Sequence, residues 1–81
     1  MTLKKIKMDI FHRNKKAKLV SKLVEEMAEL QKELLKGRYS NAIQEMGDVK
    51  ALIKMFEIIF GCKKETKASR KASLKKWKGL L

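Results

Sequence analysis

Apolar residues in this chain recur at steps of three and four, the spacing of one face of an α-helix, rather than at every second position as in a strand. The first long stripe is Leu19, Val20, Leu23, Val24, Met27, Leu30 and Leu34. It predicts a helix from about Lys15 to Lys36, closed by Gly37 after a lysine in the last turn. The second stripe is Val49, Leu52, Phe56 and Ile59, with Ile53 and Phe60 on its flank and Lys50, Lys54 and Glu57 on the opposite arc. It predicts a helix capped by Ser40 or Asn41 and running to about Phe60, where Gly61 closes it. A link as short as Gly37-Arg38-Tyr39-Ser40 between two long helices implies an antiparallel hairpin.

The flanks are thinner in apolar residues. Leu3, Ile6, Ile10 and Phe11 suit a short N-terminal helix or arm over residues 1–14, with Asn14 available to cap the next helix. Residues 63–81 read as a third, basic helix whose narrow stripe is Leu74, Trp77 and Leu81. That stripe can dock on the hairpin or on a partner chain, or Trp77 can stack on a base. The expected fold class is therefore all-α: a single domain over residues 1–81, with a helical hairpin and a basic C-terminal helix. A chain of 81 residues buries a modest share of its surface, so oligomerisation is expected to complete the bundle.

Against this pattern two acids are out of register. On the wheel of the second helix, Glu45 and Asp48 fall among the apolar residues and not beside the lysines. Carboxylates on an apolar face need a compensating charge. A divalent cation supplies it, and so would buried salt bridges to lysine or arginine. On the first helix Glu26 lies at the edge of the stripe, while Glu25 and Glu29 lie further round, near Lys32 and Lys36. Glu29 precedes the bend by about eight residues and Glu45 follows it by about eight. Both then sit roughly 12 Å from the bend, level across the pair, at 1.5 Å per residue.

Charge changes the picture at the two ends. The formal net charge is +12. Residues 1–18 hold seven Lys/Arg and one acid, residues 63–81 hold eight and one, and the middle holds six against seven acids. Basic arms attract nucleic acid, nucleotide phosphates or anionic surfaces, or simply keep a small chain in solution. One cysteine, Cys62, and no leader-like or membrane-length apolar run lead us to expect a cytoplasmic setting without a membrane partner. The single histidine, His12, reads as a surface residue. Serine–histidine and cysteine–histidine arrangements, a glycine-rich phosphate loop and a structural zinc set are all missing from the sequence. Carboxylates on two helices beside basic arms instead suit magnesium and phosphate chemistry.

The arrangement Glu25-Glu26-Met27-Ala28-Glu29, fifteen residues, then Glu45-Met46-Gly47-Asp48 resembles the MazG-like, all-α nucleoside triphosphate pyrophosphohydrolases. The flanking stretches LVEEMAELQKELLKG and NAIQEMGDVKALI extend that resemblance over roughly residues 15–60, with a looser echo in the basic third helix. Gln44, where many relatives carry an acid, is a departure, as are the short length and the high positive charge. The resemblance implies a magnesium enzyme, with manganese able to stand in. Its reaction would cleave a nucleoside triphosphate between the α and β phosphates. It implies Glu26, Glu29, Glu45 and Asp48 as metal ligands, Glu25 as the residue orienting water or a second ion, and Lys67, Arg70 and Lys71 at the phosphates. A homodimer or homotetramer is implied as well. Two other readings stay open: a basic helical module that binds nucleic acid, and an interaction protein whose buried acids specify an oligomer.

Overall fold

The computed structural model describes the backbone from residue 3 to residue 81 and the side chains from residue 14 onward. Within that span the chain is helical, with no strand among the described residues. Helix α1 covers Leu3–Leu35, α2 covers Tyr39–Phe60 and α3 covers Lys63–Lys76. A short 3-10 turn, Lys78–Leu80, follows. No described helix is long and apolar enough to cross a membrane.

Helix α1 is longer at its start than the apolar stripe predicts. Asn14 does not cap a second helix; it lies inside a continuous one. The physical reason is plain in the sequence, since no proline or glycine interrupts residues 3–35. The proposed packing of Leu3, Ile6, Ile10 and Phe11, and the surface position of His12, concern side chains outside the described set.

Both glycine stops are as expected. Gly37 has φ +71° and Gly61 φ +65°, the left-handed region where a side chain would be strained. At Gly37 the backbone N–H of Arg38 donates to Glu33 O (3.0 Å) and that of Gly37 to Leu34 O (3.1 Å). These two bonds are a Schellman closure, which satisfies carbonyls that the helix end leaves free. At Gly61 the N–H of Cys62 donates to Glu57 O (3.1 Å). Neither Ser40 nor Asn41 caps α2. Arg38 holds the N-cap position and makes no side-chain cap bond.

Helices α1 and α2 pack closely along their lengths. Lys16 lies over Phe60, Glu26 lies near Glu45 and Glu33 bonds Asn41. The partners run in opposite chain order, so the pair is antiparallel. The less exposed positions of α1 are Lys16, Leu19, Leu23, Glu26, Leu30 and Glu33, and those of α2, apart from Glu57 near α3, are Ala42, Glu45, Val49, Leu52, Phe56 and Ile59. Each series steps by three and four, which is the seam of a two-helix coiled coil. Phe56 and Phe60 stack within α2, with centroids 4.1 Å apart.

Only one seam is covered. Leu19, Ala42 and Val49 are its buried apolar residues, while Val20, Val24, Met27 and Leu34 stay exposed although they belong to the predicted stripe. Those four sit one residue past the α1 seam. Ile43, Met46, Ile53 and Phe60 sit one past the α2 seam and are exposed too. In an antiparallel pair of right-handed helices a 100° step on each turns toward the same side. These eight residues therefore form one apolar face of the pair. One residue before the seam, Lys22, Glu25, Glu29, Asp48 and Ala51 turn to the other side.

Helix α3 touches α2 near their junction and, among the described residues, does not pack on α1. There Glu57, predicted on an open arc, is half-buried. Leu74, Trp77 and Leu81 are exposed and are not buried against the described part of the hairpin. The molecule is a slab measuring 54 × 28 × 13 Å. Its third dimension is about one helix diameter.

Candidate metal centre

Two acids of the α1–α2 seam meet at mid-length. Glu26 comes from α1, its side chain only 14% exposed, and Glu45 from α2. Asp48, one turn on from Glu45, approaches from the polar side. One carboxylate oxygen from each of Glu26, Glu45 and Asp48 lies within 4.8 Å of the other two. Helical spacing explains the meeting. Glu45 and Asp48 are i and i+3 on one helix, and the Gly37 closure sets which turn of α1 they oppose.

The electrostatics are strained in a specific way. Hydrogen bonding with Glu26 raises the Glu45 carboxyl above its ordinary value; burial and the charges of Glu26, Asp48 and Glu29 push the same way. Glu26 is lowered, first by the hydrogen bond with Glu45 and then by Lys22, whose Nζ is 3.2 Å away. Lys22 itself is raised by Glu26 and Glu25. Glu45 Oε2 is nevertheless buried without any hydrogen-bond partner. Such an atom usually has a ligand, a water or a proton nearby in a native protein.

Beside these acids lies an open depression of about 350 Å³, lined by Lys22, Glu26, Asp48, Ala51 and Leu52. Two or three carboxylate oxygens facing a hollow of this size suit a hard divalent cation that keeps several waters. The orphaned Glu45 oxygen and the all-oxygen donor set are of the kind a hard cation takes. The three that could hold it are Glu26, Glu45 and Asp48. Glu29 bears on the site through its charge on Glu45. Glu25 is 64% exposed at the rim, 3.6 Å from Lys22.

Sequence reasoning finds the acids but not all of their surroundings. The α1 acid whose side chain meets Glu45 is Glu26, while Glu29 acts on Glu45 through its charge. Lys22 was not singled out, although i, i+3 and i, i+4 spacing to Glu25 and Glu26 is a readable signal. Lys67 and Arg70 are not beside the acids. They line a separate cleft of about 480 Å³ between α2 and α3, with Ile53, Glu57, Lys63 and Thr66. Lys71 is exposed on α3 and lines neither hollow. Set beside known proteins, the chain has no significant match to a family model, a curated protein or a solved structure.

Proposed function

We propose that this chain is a magnesium-dependent nucleoside triphosphate pyrophosphohydrolase. The observation that carries the reading is Glu45, whose buried oxygen has no partner and whose nearest charged neighbours are acids. The motif resemblance of residues 25–29 and 45–48 supplies the reaction class. Glu26, Glu45 and Asp48 would hold the ion, with Glu29 adding negative charge behind them. Bound there, the ion would polarise the phosphorus centre and steady the leaving pyrophosphate. Glu25, at the exposed rim, orients the attacking water. Lys22, held between Glu25 and Glu26, is the cation nearest the phosphates. Water adds to the α-phosphorus as the bond to the bridging oxygen breaks, giving a nucleoside monophosphate and pyrophosphate.

We further infer that the working form is a homo-oligomer built on the apolar face of Val20, Val24, Met27, Leu34, Ile43, Met46, Ile53 and Phe60. A monomer of this mass ordinarily exposes about 5,000 Å². This chain exposes 7189 Å². The excess is larger than the roughly 800 Å² per partner of a standard interface. Two such faces laid together make a four-helix bundle with a core on both sides. The acids turn away from that face and stay open to substrate.

The test is pyrophosphate release from a panel of nucleoside and deoxynucleoside triphosphates, with magnesium and then with EDTA. Release with monophosphate as co-product, abolished by EDTA, is the expected result. No release from any nucleotide by helical, folded protein would overturn the reading.

A further inference from the structure

Helix α3 has no part in the acid site, and its chemistry is of another kind. Lys63, Lys67, Arg70, Lys71 and Leu74 step by four, three, one and three, so they share one arc of the helix. Trp77, three residues on, ends the same row. All six are exposed, Trp77 at 55%. The row spans about 21 Å at 1.5 Å per residue. Among the described residues none of Lys63, Lys67, Arg70 and Lys71 makes an ion pair, and the acid nearest the row is Glu57, across the cleft. The single acid of α3, Glu65, lies on the opposite arc with Ala68, Ser69 and Ala72. On one flank the row opens into the cleft that Lys63, Lys67 and Arg70 share with Ile53, Glu57 and Thr66.

A helix that lies in a membrane surface separates its cations from its apolar residues. This one does the reverse. Leu74 and Trp77 lie on the arc of Lys63, Lys67, Arg70 and Lys71, and the opposite arc, which carries Lys76 beside Glu65, has no large apolar side chain to insert. A row of cations ending in an exposed aromatic matches a strand with regularly spaced phosphates and bases free to stack. We propose that this face of α3 binds single-stranded nucleic acid, phosphates along Lys63, Lys67, Arg70 and Lys71 and a base on Trp77. The inference stands apart from the hydrolase reading and uses none of the acid residues.

Trp77 is the only tryptophan in the chain, so its emission reports on the ridge alone. The experiment titrates the full chain with a fluorescein-labelled oligothymidylate, following anisotropy and Trp77 emission over a salt series. Binding should weaken steeply with salt, by about 0.7 in log–log slope for each phosphate contact. Lys67→Gln with Arg70→Gln should flatten that slope by about 1.4. Stacking should quench Trp77, and Trp77→Ala should weaken binding roughly five-fold or more. Circular dichroism checks that the variants keep their helicity, and the quench requires no variant. An unaltered slope in the double variant, or binding without a quench, would overturn the proposal. So would a blue shift of Trp77 on phosphatidylserine vesicles with no response to the oligonucleotide, which would assign the ridge to lipid.

Discussion

Two acids of one seam, Glu33 and Glu45, are treated in opposite ways by the same hairpin. Glu33, 9% exposed, sits at the bend. Arg38 grips it with two bonds, Nε to Oε2 at 2.7 Å and a terminal nitrogen to Oε1 at 3.1 Å, and Asn41 Nδ2 donates at 3.3 Å. Every oxygen of Glu33 is satisfied by its own chain. Glu45 lies further from the bend among Glu26, Asp48 and Glu29, and one of its oxygens has nothing. The first acid is a structural clasp. The second is complete only when something from outside, a proton or a cation, is added. Burial of a carboxylate is thus not itself the sign of a site; the sign is burial without an internal partner.

The sharpest way to break this comparison is to neutralise the second acid. Glu45→Gln should lower magnesium-dependent hydrolysis by roughly 100-fold or more, beyond the usual cost of altering a residue behind the ligands. It should also remove any magnesium-induced rise in Tm. Metal-free stability should stay level or increase, since a like-charge contact is relieved. A fall of several kcal/mol in metal-free stability would instead mean that Glu45 is a salt-bridge partner.

Next in size is the clasp. Glu33→Ala should cost about 1.5–3 kcal/mol, the range for hydrogen bonds to a charged group. Urea denaturation of Glu33→Ala, Arg38→Ala and the double variant should show non-additivity, because the two remove one interaction. The magnesium response should survive in all three. Its loss there would erase the distinction between the two acids.

The smallest effect is in pH. The folded Glu45 carboxyl is raised, so its contribution is complete below the ordinary carboxylate value and is lost as pH rises through the raised value. The lowered Glu26 does the opposite, and its contribution is lost only as pH falls through its depressed value. Above the ordinary carboxylate value the Glu45 effect governs, so the metal-free protein should lose stability as pH rises through the raised value. Magnesium competes with the Glu45 proton, so the Tm gain it gives should grow over the same interval. Thermal scans of the parent and Glu45→Gln, with and without magnesium, measure both trends. An equal magnesium gain at both ends would show that Glu45 is not a ligand.

Much of this was legible in the chain. Gly37 and Gly61 announce their stops because only glycine takes a positive φ without strain. Glu45 betrays itself through the helical period alone. What escaped depends on partners distant in sequence or absent. The role of Glu33 is invisible on a wheel, because Arg38 and Asn41 reach it only after the chain has turned. Asn14 looked like a cap because asparagine favours caps, yet uninterrupted helix formers on both sides carry the helix through it. The α1 stripe was read as one face, but Leu19, Leu23 and Leu30 meet α2 while Val20, Val24 and Met27 face outward. A sequence marks a face as apolar without saying which molecule will cover it.

The closure at Gly37 has a bearing on descent. The meeting of Glu26 and Glu45 is fixed by how many residues separate each from that turn. Substitution along either helix leaves the count intact. One residue inserted in α2 ahead of Glu45 would turn that side chain by about 100° and carry it off the seam. Lineages of this chain can therefore drift widely in composition while remaining intolerant of gaps between residues 26 and 45, except where a gain on one arm is matched by an equal gain on the other. Lengthening both arms by a whole heptad keeps the seam in phase, and is the route by which such a hairpin can grow without losing its site.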